Sequence, residues 1–122
     1  MYPHARKVGN LLFLSGVGPR EKGNNKILGV QLDEKGNILS YDIESQCISV
    51  FNNVRTILED SGSIWKNLID VTVFLTNMKE DFEKYNQIYA EYFKDNQPCR
   101  TTIEINSLPT PIAIELKCIA II

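Results

Sequence analysis

Leu11-Leu12-Phe13-Leu14 is an apolar run closed by Gly9-Asn10 before it and Ser15-Gly16 after it, too short for a helix and apolar on both faces. The pattern predicts a covered strand. A polar stretch rich in Gly, Asn and Lys follows from Gly18 to Lys26 and reads as a loop. Ile27 to Leu32 is a second strand, and Asp33-Glu34-Lys35-Gly36-Asn37 a hairpin-type turn. At Asp42 the period changes. Ile43, Cys47, Val50, Phe51, Val54, Ile57 and Leu58 recur three and four apart, the stripe of an amphipathic helix, with Asp42 as N-cap, Glu44 in the first turn and Gly62 as its C′ residue.

Ile69 to Thr76 is dense in β-branched and aromatic residues and predicts a central strand. A second helix is expected from about Asp81 to Lys94, with Phe82, Tyr85, Ile88 or Tyr89, Tyr92 and Phe93 turned inward and Asp81, Glu83 and Lys84 on a solvated face. Arg100 to Ile105 and Ile112 to Ile122 supply two further strands. The order predicts an α+β sheet with both helices on one face. The last strand is apolar on both sides: Ile112, Ile114, Leu116, Cys118, Ala120 and Ile122 alternate with Ala113, Ile119 and Ile121. One small domain cannot cover both, so a homo-oligomer closing over the free face is expected.

The 122 residues make one domain over positions 1–122, and 43% hydrophobic with 23% charged residues is the balance of a globular protein. Thirteen basic residues against fifteen acidic give a formal charge of −2, which does not advertise a nucleic-acid partner. No apolar run approaches the roughly 18–20 residues of a membrane span, and the N-terminus is too short in apolar residues for a signal peptide. Cys47, Cys99 and Cys118 have no paired spacing and read as reduced thiols of a cytoplasmic protein.

Arg100 opens a strand that is otherwise apolar, and a guanidinium at such a place is costly unless an anion meets it. Two readings stand: a structural pair with Glu104 or another carboxylate, or a fork that binds the carboxylate of a small ligand through two parallel hydrogen bonds. Glu115 interrupts the last strand in the same way. It either pairs with Lys117, two residues along, or works in a cleft, orienting water or moving a proton. His4 is the single histidine and reads as a surface residue, and the scattered Cys and His offer no metal-ligand spacing. Gly16-Val17-Gly18-Pro19-Arg20 is a turn rather than a phosphate loop, since Pro19 removes an amide such a loop would use. Cys99, beside Arg100, has no general base with it.

The segments YPHARKVGNLLFLSGVGPR, YNQIYAEYF, PCRTTIEINSLP and IAIELKCIAII, in this order, closely resemble the RidA (YjgF) family of reactive-intermediate deaminases. YPHAR and LFLSG look most like the branch that includes 2-aminomuconate deaminases. The resemblance implies a chorismate-mutase-like α+β fold, with a mixed six-stranded sheet and two helices packed on one face. It also implies a homotrimer with clefts at the subunit interfaces and no metal or organic cofactor. It further implies hydrolysis of 2-imino and 2-enamino acids to 2-keto acids and ammonia. Carried over residue by residue, Arg100 falls on the carboxylate-binding arginine and Glu115 on the acidic residue near the attacking water, the two catalytic positions. Tyr2, the Ser15-Gly16 turn and Asn86 fall on cleft-lining positions. Thr102 stands where many members carry cysteine, leaving its backbone amide to bind ligand, and Lys117 replaces a second acidic residue of some members. Two alternatives accompany this expectation: a dedicated 2-aminomuconate deaminase with Arg6, Lys7 or Arg20 as a second cation, and a non-catalytic trimeric metabolite-binding or regulatory protein.

Overall fold

The computed structural model describes residues 1–24 and 26–122. Asn25, inside the loop expected over Gly18–Lys26, lies outside the described residues. Along the chain come β1 (Ala5–Val8), β2 (Leu11–Leu14), β3 (Val30–Leu32), β4 (Ile38–Tyr41), α1 (Ile43–Asp60) and a 3-10 turn (Trp65–Asn67). They are followed by β5 (Leu68–Leu75), α2 (Met78–Tyr92), β6 (Cys99–Glu104) and β7 (Ile114–Ile121). One sheet has the order β1-β2-β7-β5-β6 and is mixed, since β5 and β6 run parallel while the other neighbours are antiparallel.

The helices pack together on one face of this sheet, as the apolar periods predict. Ile114, Leu116, Cys118 and Ala120 of β7 and Val71, Val73 and Leu75 of β5 alternate into the core, where they meet Val50, Phe51 and Val54 of α1 and Tyr85 of α2. Fully burying a side chain of this class contributes about 1.5–3 kcal/mol, so this layer supplies the bulk of the driving force. The opposite face keeps Ile69, Ile103 and Ile121 exposed. Burial pushes the Cys118 thiol of the covered face up to about 12, which suits an inert core residue.

Among the described residues the sheet has five strands rather than six. β3 and β4 pair only with each other, as a separate hairpin whose turn is held by Asp33 Oδ1 accepting from the amides of Lys35 and Asn37 at 2.9 and 2.8 Å. Gly29, at φ +66°, breaks the strand expected from Ile27, which keeps only an isolated bridge to Arg20. β1 was not legible because an edge strand exposes Arg6, Lys7 and Val8 and so carries no buried alternation.

Asp42 caps α1 as expected, accepting from the Ser45 amide, and Gly62 follows its end at φ +85°. α2 begins three residues earlier than expected. Asn77 caps it through the Glu80 amide at 3.2 Å, and Glu104 Oε1 accepts from the Met78 amide at 2.8 Å. The earlier start goes with a rotated stripe. Asp81, Tyr85, Ile88 and Tyr89 are buried, whereas Phe82, expected inside, is exposed. Asp81 is therefore not on a solvated face: it accepts from the Tyr41 hydroxyl at 2.6 Å, and burial raises its carboxyl above the ordinary carboxylate range despite that bond. No helix among the described residues is long and apolar enough to cross a membrane.

Candidate functional site

β2 and β7 pair regularly as far as Phe13 opposite Ile119, and their contact resumes only at the bridge between Val17 and Leu116. Residues 14–16 on one strand thus oppose 117–118 on the other, which is a bulge, and the bulge opens a cleft of about 410 Å³. Tyr2, His4, Ser15, Gly16, Arg20 and Glu115 line it, with Asn53, Thr56 and Ile57 of α1 as the far wall. The loop is pinned to α1 by the Asn53 amide, which donates to the carbonyls of Gly18 and Arg20 at 2.9 and 2.6 Å. Ser15 donates its hydroxyl to the Pro3 carbonyl at 2.7 Å and its backbone amide to His4, so it anchors the segment that carries Tyr2 over the cleft.

Glu115 sits at the centre of this geometry. Ile114 and Leu116 point into the core, so the period of two turns Glu115 away from the helices. It does not pair with Lys117, whose ammonium donates instead to the Leu14 carbonyl within the bulge. Burial raises the Glu115 carboxyl above the ordinary carboxylate range, and the positive charge of Arg20 opposes that shift only in part. A carboxyl raised in this way is better matched to proton transfer near neutral pH than a free one. Gly16 makes the close approach possible, because a Cβ there would stand 2.7 Å from Glu115 Oε2. Gly16→Ala is expected to fold, since the clash is with the far end of a mobile side chain. The displaced carboxylate should lower kcat roughly 10- to 100-fold, and turnover measured beside thermal unfolding checks this.

Arg100, Asn86 and Thr102 gather elsewhere. In the parallel register Arg100 lies opposite Val71 and Thr102 opposite Val73, so both face the helix layer, and the contacts agree. The Arg100 guanidinium donates to Asn86 Oδ1 at 2.8 Å and lies over the ring of Tyr89, 4.7 Å from its centroid. Thr102 shares a 2.8 Å hydrogen bond with the Tyr85 hydroxyl. Glu104 is occupied in capping α2, and the one ion pair among the described residues is Lys22 with Asp60 at 3.8 Å. Arg100 is exposed at the sheet edge and forms no ion pair with a carboxylate among the described residues.

The expected residues therefore fall into two separate groups. Tyr2, Ser15, Gly16 and Glu115 share the cleft, while Arg100, Asn86 and Thr102 lie on the other side of the sheet, with β5 between their strands. Two strand spacings alone separate them by roughly 10 Å. Within one chain Arg100 and Glu115 do not face the same cavity. Sequence reasoning missed Tyr89 beneath Arg100 and Asn53 behind the loop; Tyr89 carried a signal, standing three residues after Asn86 on the apolar stripe of α2.

The endoribonuclease L-PSP family model matches residues 1–122. A RutC family protein of Pyrococcus horikoshii is 38% identical over 120 residues, which cover 98% of this chain and 85% of that protein. The chloroplastic Reactive Intermediate Deaminase A of Arabidopsis thaliana is 36% identical over 119 residues, 98% of this chain and 57% of that protein. The crystal structure of yeast Mmf1, whose sequence is that of a mitochondrial protein, superposes with a TM-score of 0.84 at 31% identity, covering 98% of this chain and 86% of that one. The Arabidopsis and yeast relatives are named as chloroplastic and mitochondrial proteins, so likeness to them does not bear out the cytoplasm expected from the thiols. With likeness running the full length in sequence and in fold, the chain belongs to the endoribonuclease L-PSP family, among whose members are RutC family proteins and a Reactive Intermediate Deaminase A.

Proposed function

We propose that the protein is a reactive-intermediate deaminase that hydrolyses 2-imino and 2-enamino acids to 2-keto acids and ammonia. The observation that carries this reading is Arg100: a guanidinium at an exposed sheet edge, held by Asn86 and Tyr89 and left without a carboxylate partner among the described residues. Such a fork is suited to an anion that arrives from outside the chain. The relative named Reactive Intermediate Deaminase A supports the same reading.

In this proposal the protein is a homotrimer. The edge carrying Arg100 in one subunit completes the cleft of the next, and the exposed Ile69, Ile103 and Ile121 are covered in the assembly. Arg100 fixes the substrate carboxylate. Glu115 takes a proton from water as the water oxygen bonds to the C=N carbon, giving a carbinolamine. Glu115 returns that proton to nitrogen, the C–N bond breaks, and the hydroxyl gives its proton to the Glu115 carboxylate as it becomes the carbonyl of the keto acid and ammonia leaves. Positioning supplies most of the acceleration, because an imine is already electrophilic.

A second reading concerns the substrate. Arg20 lines the cleft with Glu115, and its charge is felt there, whereas Lys22 is engaged with Asp60. A second free cation favours a substrate with a second anionic end, as in a dedicated 2-aminomuconate deaminase. Ammonia release from freshly generated imines of several amino acids, and from an enamine dicarboxylate, tests both readings. Faster release than in solvent from the monocarboxylates supports the general deaminase, and selective acceleration of the dicarboxylate supports the second reading. Keto-acid binding without any acceleration would leave a metabolite-binding protein.

A further inference from the structure

We infer that Tyr89 is a positioning residue for Arg100, its ring face setting the direction in which the guanidinium meets a carboxylate; the inference rests on the reading of Arg100 as the carboxylate anchor. An arginine at an exposed sheet edge has many rotamers to lose on binding an anion, and each one removed beforehand improves affinity. Here two contacts remove them. Asn86 Oδ1 accepts from Nη1 at 2.8 Å, and the Tyr89 ring lies 4.7 Å beneath Cζ, closer than the Tyr85 ring at 5.6 Å. A cation over an aromatic face is attracted by the ring quadrupole.

The ring is itself immobilised. Phe93 stacks on Tyr89 with centroids 4.2 Å apart and planes 24° from parallel, and Phe51 meets it edge-on at 6.1 Å. One face of Tyr89 therefore belongs to the core while Arg100 uses the ring as a platform. The hydroxyl takes no part, being buried with no hydrogen-bond partner among the described residues. A tyrosine whose polar end is idle and whose ring carries a cation serves through the ring, which phenylalanine supplies equally well.

Titration of the protein with pyruvate, together with KM and kcat for an imino acid, tests this in Tyr89→Phe, Tyr89→Leu, Tyr89→Met and Phe93→Leu. Tyr89→Phe should match wild type within about twofold. Tyr89→Leu and Tyr89→Met, which keep apolar volume without a ring face, should raise the pyruvate Kd and KM about three- to thirtyfold with kcat little changed. Phe93→Leu loosens the support of that ring without removing its face, and should lower thermal stability while raising Kd by less than either ringless variant. Unchanged Kd in whichever of the two ringless variants folds would overturn the inference, as would an equal rise in Phe93→Leu. If Arg100→Ala binds pyruvate as well as wild type, the carboxylate-anchor reading itself fails. If Arg100→Ala loses binding while Tyr89→Leu keeps it, only the role of Tyr89 falls.

Discussion

Arg100→Ala is expected to lower kcat/KM for imino acids at least about a hundredfold, which corresponds to about 2.7 kcal/mol of transition-state stabilisation. The loss has two parts, a charge-assisted fork to the substrate carboxylate and the placement of the C=N carbon beside the attacking water. The fold should hardly notice. Arg100 is exposed on an edge strand, its partner Asn86 lies on the helix surface, and no ion pair among the described residues is broken. Arg100→Lys is the sharper probe, because it keeps the charge and removes the bidentate geometry; it should recover little of the lost activity. Full turnover by the lysine variant would end the assignment, and a large loss of thermal stability in either variant would point to a structural arginine instead.

Glu115→Gln should separate catalysis from stability in the opposite sense. Loss of a positioned acid–base group costs roughly 10²–10⁴ in rate, and glutamine can still orient water but cannot take its proton. Stability should not fall. Burial raises the folded-state pKa of Glu115, so between the ordinary carboxylate value of 4.5 and the raised value the folded chain holds more protons than the unfolded one. Stability then declines as pH rises through that window and stays lower above it. Asp81 is raised for the same cause and contributes a slope of the same sign, so wild type is not the right baseline by itself. The difference between wild type and Glu115→Gln, followed by thermal unfolding from pH 4 to 8, isolates Glu115: the variant should gain on wild type as pH rises. An inactive variant that gained nothing on wild type anywhere between pH 4 and 8 would contradict the raised carboxyl, and a fully active one would remove Glu115 from the chemistry.

Much of the site was legible because chemistry-bearing residues interrupt strong patterns. Arg100 and Glu115 stand out as charges set in apolar strands, and the motifs around them resemble a family in which such positions have roles. Their partners were harder to read. Glu104 and Lys117 lie near them in sequence and offered themselves as counter-ions, yet Glu104 caps α2 and Lys117 serves the Leu14 carbonyl. Backbone groups left open at a helix start and at a bulge compete for charged side chains, and this competition leaves no periodic trace.

Similar limits governed the fold. The stripes of α1 and the apolar alternation of β5 and β7 follow from burial, which selects residue types at fixed spacing, so local pattern was enough to place two helices against a sheet. Edge strands β1 and β4 are mostly exposed and select little, and only pairing across the chain makes them strands. The phase of α2, and with it the burial of Asp81 rather than Phe82, depended on an N-cap and on a hydroxyl forty residues away. By itself the sequence determined the α+β class, the two helices, the core strands and the identity of the unusual charges. Only the tertiary structure decided that Arg100 and Glu115 occupy opposite faces of one sheet, because strand order and register are settled by contacts between distant segments.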